Sequence, residues 1–202
     1  MELRDEEIEA LGTQGFFTRE AFLGRERASA VHAAALARVE AGALRPAGIR
    51  RGADRTEDTS VRGDFITWVT PEPGSTALGS LWEAFEALGQ SLSAAAYLGL
   101  GRFDVQLAWY PGEGARYVRH RDAFPGQSNR RVTAIFYANP DWRPEHGGQL
   151  RLFLEEGTVE VAPTLDRLVV FLSEKLEHEV LPAHAPRLAL TAWYYGRDTV
   201  GR

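Results

Sequence analysis

Cysteine is missing altogether from the 202 residues. That absence rules out disulfide frameworks, thiolate metal sites and cysteine nucleophiles, and it obliges any metal to use nitrogen and oxygen ligands. No apolar run is long enough to cross a bilayer, and Met1 to Ala10 is acidic and helical in pattern, without the basic-then-apolar order of a signal peptide. The expectation is a cytoplasmic location and no membrane partner. Charge of one sign is not in excess either: the formal net charge is -5 with both signs interspersed, which leaves no electrostatic footprint for a nucleic-acid backbone and makes nucleic acid a disfavoured partner. Several catalytic templates are absent as well. There is no His-Glu-x-x-His, no phosphate-binding Gly-Lys-Ser/Thr loop, no dinucleotide glycine fingerprint and no Gly-x-Ser-x-Gly elbow.

What is present suits a substantial core. With 44% hydrophobic and 25% charged residues, the chain has the usual size of one compact domain, so a single domain over 1-202 is expected. The first part, about 1-100, reads as helical support. Asp5 to Leu11 opens on acidic residues, Arg25 to Leu44 is alanine-rich with Val31, Ala35 and Val39 at helical spacing, and Thr76 to Ala94 carries the stripe Leu78, Leu81, Phe85, Leu88, Leu92. Between the last two lies Arg45 to Arg62, polar and poor in apolar residues, which reads as a loop. From Phe103 the pattern changes to short β-type runs, Phe103 to Tyr110, Arg131 to Tyr137, Leu150 to Phe153, Thr158 to Val161, Arg167 to Leu172 and Arg187 to Tyr195. The fold class is therefore α+β, mainly β: a sandwich or barrel over about 103-196, buttressed on one face by the N-terminal helices.

Two residues apart in Tyr117-Val-Arg-His-Arg-Asp122, His120 and Asp122 leave an extended strand on one face. A surface ion pair would look the same, but His178 stands in a second β-type segment and completes two histidines and one carboxylate. This is the donor set of the non-haem iron oxygenases, and three protein ligands on one side of an octahedral ion leave three positions open. Arg187 opens the last strand and shares a face with Thr191 and Trp193. An arginine facing a barrel interior needs a carboxylate to meet it, so a ligand carboxylate is one reading and a rim pair with Glu179 or Asp141 the other. Tyr137 ends its strand where a hydroxyl could add a second donor, and Tyr110 is placed similarly, with core packing the alternative for both.

At these residues the chain resembles the 2-oxoglutarate-dependent prolyl hydroxylases, in particular the hypoxia-sensing enzymes of animals and their bacterial relatives. The resemblance rests on Arg62-Gly-Asp-Phe-Ile-Thr-Trp68, Tyr110-Pro-Gly-Glu-Gly, Tyr117 to Asp122, Tyr137-Ala-Asn-Pro-Asp-Trp142, Gly147-Gly-Gln-Leu-Arg151, Asp166-Arg-Leu168, His178-Glu-Val180 and Arg187 through Tyr194, which stand in the family's order. It implies a double-stranded β-helix of the jelly-roll, cupin-like type. It also implies Fe(II) held by His120, Asp122 and His178, and 2-oxoglutarate held by Arg187 and Tyr137 in a pocket lined by Tyr110, Leu150, Thr191 and Trp193. Dioxygen is the further co-substrate and ascorbate an accessory reductant. The resemblance places Arg62 and Asp64 at the mouth with a basic residue, Arg130 or Arg131, and makes Arg45 to Val61 a segment that closes over substrate. The implied activity is hydroxylation of a prolyl residue in a protein, with elongation factor Tu a candidate from the bacterial side. Rival readings are an oxygenase for a small molecule or free amino acid, and a metal-binding sensor or hydrolase. The loop and the Ala123-Phe124-Pro125 region depart from the animal sequences, which points to a different target.

Overall fold

Alternating side chains need a partner layer on each side, and the β-type runs find theirs in two antiparallel sheets. The computed structural model describes residues 1-48, 58, 61-74, 76-124 and 128-197. Its elements are α1 (Asp5–Thr13), β1 (Phe16–Arg19), α2 (Arg25–Glu40), β2 (Arg45–Pro46), β3 (Phe65–Val69), α3 (Ala77–Ala95), β4 (Leu100–Tyr110), β5 (Ala115–His120), β6 (Arg130–Tyr137), β7 (Leu150–Leu154), β8 (Gly157–Val161), β9 (Arg167–Leu172), β10 (Glu177–Ala183) and β11 (Arg187–Gly196). The larger sheet runs β1-β9-β6-β11-β4-β3-β2 and the smaller β5-β10-β7-β8.

The helices form where their apolar spacing is matched by the larger sheet. Thr76 caps α3, its hydroxyl accepting from the Gly79 amide at 2.9 Å, and Leu78, Leu81, Phe85, Leu88 and Leu92 are buried in one cluster with Val105, Leu107, Val132, Phe136, Leu190 and Tyr194. Each such side chain contributes about 1.5–3 kcal/mol on leaving water. α2 adds Ala28, Val31 and Ala35 to that cluster. It ends at Glu40 and not at Leu44, because Gly42 takes a left-handed φ of 67° and the Ala43 amide turns back to the Arg38 carbonyl at 3.0 Å. A second cluster, with Ile135, Tyr137, Val169 and Phe171 from the larger sheet and Leu150, Leu152 and Val161 from the smaller, fills the space between the sheets.

The two sheets with helices on the outer face of one agree with the jelly-roll expectation. Strands β1 and β3 were not legible as such. Both are short and depend on pairing, β1 with β9 and β3 with β4. Of the loop expected to close over substrate, residues 49-57, 59 and 60 lie outside the described residues. No helix among the described residues is long and apolar enough to cross a membrane.

Candidate active site

β5 and β10 are neighbours in the smaller sheet with His120 and His178 directly opposite, so strand pairing alone sets the two imidazoles side by side, their ring centroids 4.2 Å apart. Asp122 lies past the end of β5, so chain parity is not what aims it. Its Oδ2 accepts from the Thr133 hydroxyl at 2.7 Å and from the Trp193 indole at 2.9 Å, and Thr133 is itself 2.8 Å from the Ser173 hydroxyl. The carboxylate then stands 3.8 Å from His120 Nε2 and 3.9 Å from His178 Nε2, and one ligand atom from each of the three residues falls within 4.8 Å of the others.

The imidazoles present Nε2 to one another because Nδ1 is engaged behind: His120 Nδ1 is 2.8 Å from the Val118 carbonyl and His178 Nδ1 is 3.5 Å from that of Leu176. Such backbone partners fix the tautomer a metal requires. Burial pushes both histidines below their ordinary range, His120 to about 3 with His178 adding to the effect. Burial alone would raise Asp122, but the neighbouring imidazoles and the two donated hydrogen bonds outweigh it and hold the carboxyl below its usual range. Two neutral imidazoles and one carboxylate at neutral pH are the protonation states that metal ligation needs, and this donor set fits ferrous iron.

The cavity beside this cluster has a volume of about 710 Å³. At its inner end Arg187 is 3% exposed, lies 4.8 Å from the Tyr110 ring and 5.0 Å from that of Tyr137, and donates from Nε to the Gly148 carbonyl at 2.7 Å. Among the described residues no carboxylate lies within ion-pair distance of it. Glu179, the rival partner, is 2.8 Å from Arg151. The Tyr137 hydroxyl is buried with no hydrogen-bond partner of ordinary geometry. Gly148 is required where it stands: with φ at +72° a Cβ would come within 2.9 Å of Arg187 Cδ.

Tyr110, Leu150, Thr191, Trp193, Arg62, Asp64 and Arg130 all line the cavity. Tyr137 is not among the lining residues but lies against Arg187 at the inner end, and Arg131 is exposed and does not line the cavity, so of the two arginines Arg130 is the one at the mouth. Arg62 is not free there. It pairs bidentately with Asp64 at 2.7 and 2.6 Å and covers the Tyr117 ring at 4.3 Å, which stacks on His120 at 3.6 Å.

Residue patterns did not reveal Thr133, Ser173, Tyr117 or Asn139 as site residues. Asn139 substitutes for a missing strand end: its side chain accepts from the Leu188 amide at 2.6 Å and donates to the Leu188 carbonyl at 2.9 Å and that of Pro163 at 2.7 Å. It thereby fixes the residue next to Arg187. Its place two residues after Tyr137, where β6 ends, was the one available signal.

Comparison with known proteins agrees with this geometry. Residues 105–195 match the profile of the 2OG-Fe(II) oxygenase superfamily. Rat (Rattus norvegicus) Egl nine homolog 1 is 34% identical over 96% of this chain, which spans 59% of that protein's length. A crystal structure of a Pseudomonas putida prolyl-4-hydroxylase superposes with a TM-score of 0.85 at 36% identity, covering 94% of this chain and 97% of that one. A Trichoplax adhaerens prolyl hydroxylase, in complex with a hypoxia inducible factor oxygen degradation domain peptide fragment, superposes with a TM-score of 0.87 at 31% identity, covering 97% and 91%.

Proposed function

The chain belongs to the prolyl hydroxylases of the 2OG-Fe(II) oxygenase superfamily, and we propose that it catalyses 2-oxoglutarate- and dioxygen-dependent hydroxylation of a prolyl residue in a protein, with succinate and carbon dioxide as co-products. Arg187 carries this reading. A buried guanidinium with no carboxylate partner among the described residues is costly, and a dicarboxylic co-substrate relieves that cost by pairing bidentately with it while the Tyr137 hydroxyl, which has no partner of ordinary geometry, donates alongside.

His120, Asp122 and His178 are the residues that would hold the metal. Bound there, ferrous iron supplies the activation of dioxygen and the oxidative decarboxylation of 2-oxoglutarate to which hydroxylation is coupled. The protein's own part is orientation. Arg187 and Tyr137 grip the far carboxylate, Tyr110, Leu150, Thr191 and Trp193 wall the space between, and the 2-oxo end is thereby presented to the metal ligands without a search. Thr133 and Trp193 aim Asp122 and add to the hold that His178 and His120 exert on its ionised form. Arg62 and Asp64 brace the His120 side through Tyr117, and Arg130 stands at the mouth where substrate enters.

Residues 1-202 are read as one oxygenase domain, acting in the cytoplasm, where 2-oxoglutarate and ferrous iron are supplied. Elongation factor Tu as target rests on the resemblance to bacterial relatives alone. No relative or neighbour named above carries it. Anaerobic purification followed by a succinate assay with Fe(II), 2-oxoglutarate and oxygen, with and without prolyl peptides that include elongation-factor loops, tests the reading. Peptide-stimulated succinate with a peptide mass gain of one oxygen is expected. Stimulation only by small molecules would move the substrate class, and no succinate from metal-loaded protein would turn the reading toward a sensor or hydrolase.

A further inference from the structure

Arg121 stands between two of the candidate metal ligands and lines the cavity mouth, yet its Nε is buried with no hydrogen-bond partner. Glu177 Oε1 pairs with the Arg121 guanidinium at 3.6 Å, while Oε2 of the same carboxylate accepts from Arg119 Nε at 2.7 Å, so one carboxylate serves two arginines. Across the mouth, Arg130 has only aromatic company: it covers the Trp193 ring at 4.3 Å and reaches the Tyr195 hydroxyl at 3.3 Å. Arg121 thus shares its one carboxylate with Arg119, and Arg130 has none within ion-pair distance among the described residues. In a chain whose net charge is -5, one arginine that shares its carboxylate and a second with none among the described residues make a local excess of positive charge on this rim, unlike Arg62, whose charge Asp64 answers. Beside them stand Trp68 and Phe124, each 51% exposed and each lining the same mouth.

We infer that this rim is a subsite for an acidic residue flanking the target in an extended peptide. The guanidiniums pair with its side-chain carboxylate while Trp68 and Phe124 pack on the peptide's apolar atoms. The inference rests on the prolyl hydroxylase reading for what enters the cavity, but on the arginines alone for the charge it carries. Planar donors half withdrawn from water favour a planar carboxylate over an uncharged amide. They lie beside the site where 2-oxoglutarate is held and not within it, since Arg187 serves that end.

Fluorescein-labelled prolyl peptides in which Asp replaces Asn at each position from four before to four after a single proline test this by anisotropy, with the protein held under nitrogen with Mn(II) and 2-oxoglutarate. At one or more positions the Asp peptide should bind about tenfold tighter than its Asn twin, the preference shrinking as salt is raised. Arg121→Gln should erase most of that preference, Arg130→Gln part of it, and Arg121→Lys should keep its sign, which separates lost charge from lost fold. Equal binding of the twins, or a preference that survives both Gln variants, overturns the inference. So does displacement of the Asp peptide by free aspartate at comparable concentration, because the subsite would then serve a small acid. Selective binding without hydroxylation on admitting Fe(II) and oxygen would instead sink the prolyl hydroxylase reading and leave the acidic subsite standing.

Discussion

The two faces of β11 divide the molecule's labour. Leu188, Leu190, Ala192 and Tyr194 point into the helix-backed cluster, while Arg187, Ala189, Thr191 and Trp193 point into the cavity. The flanking strands repeat the division, β4 with Val105 and Leu107 against Gln106 and Tyr110, β6 with Val132, Ala134 and Phe136 against Thr133 and Ile135. One face is held by apolar burial and tolerates no polar atom without a partner, and the other keeps polar atoms in position by hydrogen bonds and leaves some of them waiting. A strand whose neighbours are locked by the first face can hold chemistry on the second to within the tolerance catalysis demands.

The largest expected effect comes from the cavity face. Asp122→Ala should reduce peptide-dependent succinate to background, a loss of at least about 4 kcal/mol in transition-state stabilisation, while the melting temperature of the metal-free protein stays within a few degrees. Turnover near the parent's level would remove Asp122 from the metal. The opposite face should behave in reverse. Leu190→Ala removes a side chain with no exposure from between β11 and α3, at a cost of about 3 kcal/mol, or roughly 10 °C in Tm for a chain of this size. Its turnover at a temperature well below the transition should stay close to the parent's, and a collapse of kcat with Tm unchanged would show that the two faces are not separable.

The division itself was legible, because parity is written in the residues: the period-two alternation of β11 puts Arg187, Thr191 and Trp193 on one face. The helices were legible through the stripe of α3, and the donor set through His120, Asp122 and His178. What depends on a hydrogen-bond partner distant in sequence was not. Asp122 lies outside its strand, so the parity argument reached the correct neighbourhood for a reason that does not hold at that residue; Thr133, 11 residues on, and Trp193, 71 residues on, set its direction. The single carboxamide of Asn139 stands in for a strand end, which no pattern encodes. The choice between Arg130 and Arg131 waited on which one β6 turns inward.

A smaller effect sharpens the cavity-face half of the comparison. Thr133→Val keeps the shape of the side chain but deletes the hydroxyl that joins Ser173 to Asp122, so the carboxylate loses one of two donors and swings more freely. Metal affinity should fall about tenfold to a hundredfold, read as the Fe(II) concentration giving half-maximal turnover and, independently, as the Mn(II) dissociation constant from quenching of tryptophan fluorescence. An unchanged affinity would mean that the Trp193 indole alone orients the carboxylate.

The smallest effect lies far from the cavity and contrasts two buried charges. Arg187 has no counter-ion among the described residues, whereas Glu7, 2% exposed, accepts from Arg19 Nε at 2.8 Å and from Arg4 through both its backbone amide and its guanidinium. Burial works against the Glu7 charge, but Arg19 and Arg4 outweigh it and bring the pKa from 4.5 to about 2. A folded-state pKa below the unfolded one contributes stability that is fully present above about 4.5 and is lost as pH falls through about 2. Glu7→Gln should therefore cost on the order of 1–2 kcal/mol at pH 7, discounted for the solvent around Arg4, and the gap in Tm between parent and variant should narrow below pH 4.5 and close near pH 2. A gap that is independent of pH would assign the contribution to packing. Arg187→Met, melted without 2-oxoglutarate, should show no comparable loss at any pH, because the charge it removes has no counter-ion among the described residues to lose.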